Sequence, residues 1–251
     1  MCEEESDVLS DVNLSIFTTN ISQFTDNHLW IDLLSTPLII LPEKLSYYGQ
    51  DYPTRLVIFE NGIKVDFAFF DIALLKCLVE TKKLPPEYNA GYQVLIDKDK
   101  MTVSMSKAQG CSSLVESPNE KQFLSLIEEF WFEAYHVAKY AKREDLWPLK
   151  FRQHWITDRL LLKMVEWNAQ AKREWRFSPK PHGKDMLSWV DKDIWEGFSG
   201  CFAGFDAQES YKALMELVRL FRRLAKETAV MLGYGYPEEL DRKISVVIDS
   251  L

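Results

Sequence analysis

A change of hydrophobic periodicity partway along the chain constrains the fold more than any other sequence feature. Over residues 1–115, short apolar runs of strand length alternate with segments of helix length. After that point the apolar residues recur every three or four positions, which is the spacing of amphipathic helices. A chain in which strands come first and helices follow is typical of the α+β class. We therefore predict a mixed β-sheet domain followed by an all-α helical bundle.

The first half carries signals for both strands and helices. Strands are predicted at Asn13–Thr18, Arg55–Glu60, Ile63–Phe69 and Tyr92–Ile96, and Leu38–Leu41 is a further short apolar run. Helices are predicted at Ile21–Leu34 and from the N-cap Asp71 to about Glu80. Between two of these strands, Asn61-Gly62 predicts a two-residue hairpin turn in which both central residues have positive φ, a conformation that these two residue types favour. The two strands that flank this turn are therefore expected to pair antiparallel.

The second half is predicted to be helical. Ser117 is the predicted N-cap of its first helix, with Pro118 at the first helical position and Glu120 at the capping-box position. Further helices are predicted at Asp145–Gln170, at Gln208–Leu232 and from Pro237 to the C-terminus, and the aromatic side chains predicted for their core are Trp147, Trp155 and Trp167. The segment Lys100–Glu116 has little apolar periodicity, so we predict domains over residues 1–115 and 116–251.

The net charge of −8 is carried almost entirely by the first half. Residues 1–115 have a net charge of −7, and residues 116–251 one of −1. Nucleic-acid binding needs clustered Lys and Arg side chains, so this distribution argues against a nucleic-acid partner. It suits a cationic small molecule or a metal ion, and the alternative, which charge alone favours, is plain solubility.

The sequence predicts a cytoplasmic protein that does not contact a membrane. It contains no apolar run of the roughly 18 residues that a membrane-spanning helix needs. The segment Met1–Glu5 is acidic and is not followed by the apolar region of a signal peptide. The four cysteines are Cys2, Cys77, Cys111 and Cys201. Their scattered positions match neither a metal site nor a disulfide framework.

Polar side chains on two predicted strands form a candidate metal-binding and catalytic site. Asp11 and Asn13 are two positions apart, so their side chains point to the same face. Asp66 lies in the middle of the apolar strand Ile63–Phe69, on the same face as Lys64. In nucleotidyl transfer, carboxylates on neighbouring strands hold Mg²⁺, and a carboxylate can accept the proton of the attacking hydroxyl. The alternative is an edge-strand acid that faces solvent.

Five segments of the chain, taken with their order and spacing, resemble one enzyme family. They are Asp11–Phe17, Phe59–Asp66, Val94–Asp99, Glu129–Trp131 and Met164–Trp167. Over nearly its whole length the chain resembles the aminoglycoside 6-adenylyltransferases, also called streptomycin adenylyltransferases, which transfer AMP from ATP to a streptomycin hydroxyl. The resemblance implies a nucleotidyltransferase domain followed by a helical domain. It also implies Mg²⁺ as cofactor, ATP as co-substrate and a cationic aminoglycoside as acceptor.

For the metal site, the resemblance assigns a role to each of three side chains. Asp11 matches the first acid of the family's Asp-x-Asp pair, Asn13 stands where the family has the second acid, and Asp66 matches the third. Asp66 would be a metal ligand and the catalytic residue that helps to deprotonate the hydroxyl, and the alternative for the latter role is another acid of the cleft. An amide holds Mg²⁺ less well than a carboxylate, because it offers one carbonyl oxygen and no charge. The family also has a Gly-Ser turn before the Asp-x-Asp pair, whereas this chain has no glycine before Gly49.

The resemblance also points to four residues that would bind the substrate. Asp97 and Asp99 would line the active cleft, and the alternative is an ordinary turn pair. Glu129 and Trp131 would bind a cationic aminoglycoside through charge and ring stacking. The alternative for these two is a surface charge and a core aromatic.

The departures from the family pattern lead us to expect weak or absent adenylyl transfer. Ten residues precede Asp11, too few for the family's preceding helix, strand and Gly-Ser turn, so we expect either an incomplete domain or a start that lies too far downstream. Asn13→Asp alone is expected to restore little activity, because the turn that holds the triphosphate would still be missing. The alternative is a catalytically degraded binding or regulatory protein on the same fold.

Overall fold

The computed structural model of the chain describes residues 9–47, 49–108 and 115–251. Contacts within the chain divide it into two units, Met1–Cys111 and Ser112–Leu251. In these described ranges the strands belong to the first unit, and the second unit consists of helices and their connections, which confirms the predicted α+β class. The domain boundary that we place after residue 115 stays a prediction.

A mixed sheet of four strands forms the centre of the described part of the first unit. The strands are β1 (Val12–Thr18), β2 (Pro37–Tyr47), β3 (Gln50–Phe59) and β4 (Lys64–Asp71), in the order β1-β4-β3-β2. β1 runs parallel to β4, whereas β3 pairs antiparallel with both β4 and β2. The strands predicted at Asn13–Thr18, Arg55–Glu60 and Ile63–Phe69 are confirmed. The apolar run Leu38–Leu41 lies in β2, an edge strand, where Pro42 is tolerated.

Alternation along the strands separates a core face of the sheet from an opposite face. The opposite face carries a smaller buried cluster that includes Tyr52 and Phe70, but it is only partly covered around Lys64 and Asp66, and we call it the open face. The buried side chains on the core face are Val57, Phe59, Val65, Phe67 and Phe69, which pack with Ile31. Lys64, Asp66 and Ala68 alternate with them along β4, point to the opposite face and are only partly buried. Full burial of a large apolar side chain contributes about 1.5–3 kcal/mol, so slipping β4 by one residue would expose several such side chains at once. Burial of the core face therefore holds Asp66 on the open face.

The turn between β3 and β4 differs in type from the predicted one. Gly62 has a φ of 80°, whereas Asn61 is not among the described residues with positive φ. The Asn61 side chain instead accepts a hydrogen bond from the N–H of Ile63, at 3.1 Å. The N–H of Gly62 donates to the carbonyl of Phe59 at 2.9 Å. Only Gly62 needs left-handed backbone, so the hairpin is closed by a turn with a glycine bulge.

Short helices complete the first unit. They are α1 (Ser22–Thr25), α2 (Leu29–Asp32), α3 (Ile72–Thr81) and α4 (Pro86–Ala90). The helix predicted after Asp71 is confirmed as α3, and Asp71 caps it by accepting a hydrogen bond from the N–H of Ala73 at 2.7 Å. This cap starts α3 directly where β4 ends.

Two elements predicted in this unit are wrong. The single helix predicted at Ile21–Leu34 is interrupted, because the Asn27 side chain accepts a hydrogen bond from the N–H of Leu29 (3.1 Å) and competes with the helical pattern. The strand predicted at Tyr92–Ile96 does not form: among the described residues it has no partner strand, and its apolar side chains from 94 to 96 are exposed. An apolar sequence is therefore not sufficient for a strand, which also needs a neighbouring strand to pair with.

Helices build the described part of the second unit. They are α5 (Glu120–Lys142), α6 (Leu146–Trp155), α7 (Leu162–Ala171), α8 (Lys192–Phe198), α9 (Ala207–Leu232) and α10 (Glu238–Asp249), with short 3₁₀ turns between α7 and α9. A π-helical turn, Ile156–Leu161, joins α6 to α7, so the helix predicted at Asp145–Gln170 is confirmed with one widened turn. The helices predicted at Gln208–Leu232 and from Pro237 are confirmed as α9 and α10. No helix in the part of the chain that is described has the length and apolarity to cross a bilayer.

The aromatic side chains of this unit divide between core and surface. Phe130 of α5 and Phe221 of α9 are fully buried and stacked, with ring centroids 3.6 Å apart. The prediction that Trp147 and Trp155 belong to the core is wrong, since they are 80% and 41% exposed. The buried side of α6 carries Leu149 instead, two residues from Trp147 and therefore on another face of the helix.

Asn119, not the predicted Ser117, caps α5. The Asn119 side chain accepts a hydrogen bond from the N–H of Gln122 at 2.9 Å, and the Gln122 side chain accepts one from the N–H of Asn119 at 2.9 Å. This reciprocal pair is a capping box, displaced by two residues from the predicted one. The helix consequently begins at Glu120.

We expect Asn119→Ala to lower the free energy of unfolding by about 1 kcal/mol, because it leaves an N–H at the start of α5 without its acceptor. Ser117→Ala is the control, since it alters an exposed side chain outside the helix and should change stability by less than about 0.5 kcal/mol. Denaturant unfolding followed by tryptophan fluorescence measures both variants, because seven of the eight tryptophans lie beyond residue 115. Equal losses in the two variants would contradict the assigned cap.

Candidate functional site

The parallel pairing of β1 with β4 brings the predicted metal-site residues together. Asn13 and Asp66 are register partners, and Asp11 lies two positions before Asn13, immediately ahead of β1. Register partners of adjacent strands point to the same face, so the three side chains share the open face of the sheet. Further along this face, the hydroxyl of Tyr88 donates to Ser15 Oγ at 2.7 Å, which holds α4 beside β1.

Lys64 connects the two carboxylates of this site. Its Nζ donates to Asp11 Oδ2 at 2.7 Å and to Asp66 Oδ2 at 2.9 Å. The exposed fractions of the three side chains are 34% for Lys64, 49% for Asp11 and 27% for Asp66. The hydrogen bond to Asp11, and then that to Asp66, raises the pKa of Lys64 above its ordinary value, against a smaller opposing effect of burial. Lys64 is therefore a cation held between two acids.

The two carboxylate oxygens of Asp66 have different environments, since Oδ2 accepts a hydrogen bond from Lys64 and Oδ1 does not. Oδ1 is buried and accepts no hydrogen bond from any residue that the structure describes. Leaving such an atom without a partner costs about 1–3 kcal/mol. β4 is paired with β1 on one side and β3 on the other, so the backbone holds Asp66 firmly in this position. A cation or a hydrogen-bond donor that reached Oδ1 would remove this cost.

The donor set of the site fits a divalent cation. One positive centre, the Lys64 ammonium, already contacts both Asp11 and Asp66, so their oxygens can converge on a single cation. The amide oxygen of Asn13 is a third donor on the same face. Over residues 9–47, 49–108 and 115–251, no three His, Cys, Asp or Glu side chains form a metal-binding group. Two carboxylates and one amide oxygen could hold a divalent cation whose remaining coordination positions are filled by water or phosphate oxygens, and the metal-binding role of these residues stays a prediction.

Asp97 and Asp99 lie in a turn, and the Asp97 carboxylate is bonded within that turn. Its Oδ1 accepts from the N–H of Met101 at 2.9 Å, and its Oδ2 accepts from the N–H and the hydroxyl of Thr102 at 2.8 and 2.6 Å. These bonds, that of the Thr102 hydroxyl first, lower the pKa of Asp97 below its ordinary value. The contacts are those of the ordinary-turn alternative, and a role for Asp97 and Asp99 in substrate binding stays a prediction.

Glu129 and Trp131 have different surroundings on α5. Residues two apart on a helix point to different sides, and here Glu129 is exposed while Trp131 is 2% exposed. The Arg222 guanidinium lies 5.3 Å from the centre of the Trp131 ring. Trp131 also lines a cavity of about 190 Å³, below the roughly 300–1,000 Å³ usual for small-molecule pockets. These contacts match the core-aromatic alternative, and a shared role of the two residues in aminoglycoside binding stays a prediction.

Lys64 is the site residue whose contacts the sequence reasoning missed. Its place on the Asp66 face follows from the period of two along a strand, but a lysine in that position is commonly a solvated side chain. The signal was present as opposite charges at i and i+2, which lie on one face of a strand. The contact with Asp11 had no such signal, because it depends on which strand lies beside β4.

Sequence comparison matches nearly the whole chain to one protein family. A family model described as streptomycin adenylyltransferase matches residues 2–251. The aminoglycoside 6-adenylyltransferase of Campylobacter jejuni is 24% identical over 245 residues, covering 95% of this chain and 81% of the relative. The protein of the same name from Bacillus subtilis (strain 168) is 22% identical over 236 residues, covering 92% of this chain and 81% of the relative.

Structural comparison agrees with the sequence comparison. The crystal structure of an aminoglycoside 6-adenyltransferase from Bacillus subtilis matches with a TM-score of 0.53 at 22% sequence identity. The match covers 96% of this chain and 88% of that chain. It confirms the predicted fold, a nucleotidyltransferase-type mixed sheet followed by a helical domain.

Proposed function

Since the chain belongs to the streptomycin adenylyltransferase family, we propose that it transfers AMP from Mg-ATP to a hydroxyl of a streptomycin-type aminoglycoside. The observation that carries this proposal is the convergence of Asp11 and Asp66 on one cation, with Asn13 beside them on the open face of the sheet. ATP as co-substrate supports a cytoplasmic site of action. The net charge of −7 over residues 1–115 supports a cationic acceptor.

The residues of the site have separate parts in this reaction. Asp11 and Asp66 would hold the divalent cation through their carboxylate oxygens, with the Asn13 amide oxygen as a neutral third donor. When bound, the cation supplies charge neutralisation on the triphosphate. In the transfer, the acceptor hydroxyl oxygen forms a bond to the α-phosphorus, the bond to pyrophosphate breaks, and a carboxylate takes the hydroxyl proton. We assign that proton to Asp66, because β4 is paired on both sides and so fixes the position of its carboxylate.

Two features support a transfer rate below that of relatives with an acid in place of Asn13. The amide of Asn13 removes one negative charge from the donor set. The ammonium of Lys64 neutralises a second one, because it is bonded to both remaining carboxylates. With less negative charge, the site holds a divalent cation more weakly, and less of the protein is in the active form at a given metal concentration.

Release of pyrophosphate from ATP in the presence of streptomycin tests the proposal. We expect a measurable rate that is at least about tenfold below that of the Bacillus subtilis relative assayed alongside, a loss of about 1.4 kcal/mol of transition-state stabilisation. Neutral sugars are the control acceptors and should support no release above the rate with ATP alone. A rate equal to that of the relative would contradict the reduced activity, and no release with any aminoglycoside would contradict the enzymatic function.

The pairing of Lys64 with both acids also favours a second candidate, a protein of this fold that binds aminoglycoside or nucleotide without transferring AMP. Calorimetric titration with streptomycin separates the two candidates. Binding accompanied by AMP transfer supports the enzyme. Binding without transfer, at metal concentrations that saturate the relative, supports the second candidate.

A further inference from the structure

Lys64 is placed where a divalent metal would have to bind. Its Nζ lies 2.7 Å from Asp11 Oδ2 and 2.9 Å from Asp66 Oδ2, so both acids direct an oxygen at the same positive centre. Resting on the metal site of the proposed function, we propose that Lys64 is a built-in competitor of the divalent cation: metal binds to Asp11 and Asp66 only when the ammonium leaves them.

The geometry of β4 explains why the ammonium reaches this place without strain. Lys64 and Asp66 are two residues apart on one strand face, and Asp11 approaches from the neighbouring end of β1. The lysine stem is long and flexible, and its side chain is 34% exposed, so the ammonium can move into solvent. Displacement therefore requires breaking two partly exposed ion pairs but no rearrangement of the sheet.

Two variants that change the charge around Asp11 and Asp66 equally can distinguish competition by Lys64 from a purely electrostatic effect. Two carboxylates, one ammonium and the neutral amide of Asn13 leave a net charge of −1 on Asp11, Asn13, Lys64 and Asp66. Lys64→Met and Asn13→Asp each change this charge to −2, but only Lys64→Met frees the oxygens that the ammonium occupies. If Lys64 instead positioned the carboxylates for the metal, its removal would weaken metal binding.

Binding of Mn²⁺ to the full chain without nucleotide tests the inference, measured by electron paramagnetic resonance of the free ion. We expect Lys64→Met to bind Mn²⁺ about three- to thirtyfold more tightly than the unchanged protein, the range that corresponds to losing one or two partly exposed ion pairs. Lys64→Gln, a second neutral variant, should give the same result. Lys64→Arg keeps the cation and should stay within about twofold of the unchanged protein.

Lys172 offers a matched control. It has a similar exposed fraction, 33%, and likewise contacts two carboxylates, Asp191 at 2.6 Å and Glu227 at 3.7 Å. Lys172→Met removes the same charge from the protein and should leave Mn²⁺ affinity within about twofold, because its carboxylate partners are not Asp11 and Asp66 and salt screens a general change of net charge. Equal gains in Lys64→Met and Lys172→Met would overturn the inference.

Failure of the inference and failure of the proposed metal site give different results. Suppose that Asp66→Ala abolishes Mn²⁺ binding, and that both neutral Lys64 variants bind Mn²⁺ no more tightly than the unchanged protein. Competition by Lys64 is then overturned, and the proposed metal site is supported. If Asp66→Ala leaves Mn²⁺ binding unchanged, the proposed metal site is overturned, and the inference with it. Circular dichroism of each variant establishes that it is folded before its affinity is compared.

Discussion

Asp66→Asn is expected to lower adenylyl transfer at least about a hundredfold, the effect of losing a residue that both holds the metal and accepts a proton. The substitution keeps the size of the side chain, and strand pairing on both sides of β4 should keep its position. What it removes is the charge that makes the side chain a metal ligand and a proton acceptor. Incorporation of labelled AMP into streptomycin, over a range of Mg²⁺ concentrations, measures the loss.

Asp97→Asn is the matched comparison, because it makes the same chemical change in an acid that was also predicted for the site. The Asp97 oxygens are bonded to Met101 and Thr102 within their own turn. These contacts match the alternative of an ordinary turn, and on that alternative we expect transfer within about threefold of the unchanged protein, with the remaining difference due to the altered turn. If Asp97→Asn lost as much activity as Asp66→Asn, the acids after residue 96 would belong to the catalytic site and our ranking of the two would be wrong.

The second large effect is expected from Asp241→Ala in α10. The Asp241 side chain is 7% exposed and accepts two hydrogen bonds from Arg222, each at 2.7 Å, and one from the Tyr236 hydroxyl at 2.7 Å. Removing it leaves the positive charge of Arg222 without its partner between α9 and α10. Breaking a buried ion pair in this way costs about 3–5 kcal/mol. Because Arg222 is 34% exposed, solvent screens its charge in part, and we expect a loss at or below the lower limit of this range, about 2–3 kcal/mol.

The stabilisation that Asp241 provides should decrease at acidic pH. Burial alone would oppose ionisation of Asp241, but the hydrogen bonds from Arg222 and then Tyr236 outweigh it, so that the pKa of Asp241 lies below its ordinary value of 3.8. A group with a lowered folded-state pKa stabilises fully above its unfolded-state pKa, and the stabilisation is lost as the pH falls through the folded-state value. The difference between the unchanged protein and Asp241→Ala should thus be constant from about pH 5 to 7 and shrink below about pH 4.

Denaturant unfolding at several pH values, followed by tryptophan fluorescence, measures this difference. The control is Glu238→Ala, also in α10, whose carboxylate contacts Lys226 at 2.7 Å with side chains 66% and 42% exposed. That pair is solvated, so its loss should cost less than about 0.5 kcal/mol. A loss of similar size in the two variants, or a difference for Asp241→Ala that grows below pH 4, would contradict the assignment.

Elements that rest on local signals agree with the sequence predictions. The helix α3 begins at the predicted cap Asp71, and α9 ends at Gly233, which has a φ of 73°. Both signals act within a few residues of the chain, so the sequence contains them completely. The strand predicted at Tyr92–Ile96 shows the limit of such signals, because a strand also needs a neighbour to pair with. Its apolar pattern carries no information on whether that neighbour exists.

The proposed metal site likewise combines local signals with one that is not local. The period of two along a strand is a local property, and it is enough to place Asp11 with Asn13 and Lys64 with Asp66. The meeting of these two pairs is not local, because Asp11 and Asp66 are 55 positions apart in the chain. The sequence also shows that Asn13 is an amide where the resembling family has an acid. This fixes which atoms position 13 can offer to a metal, but not which residues lie beside it.

From the sequence alone came the two kinds of periodicity, the α+β class, the caps and turns, and the side chains that share a strand face. Only the tertiary structure decided that β1 lies parallel to β4, that Asn13 stands beside Asp66, and that Lys64 reaches both acids. The physical reason is the range of the interactions. Periodicity and capping depend on neighbours along the chain, whereas strand pairing is selected by burial of a core face to which distant segments contribute.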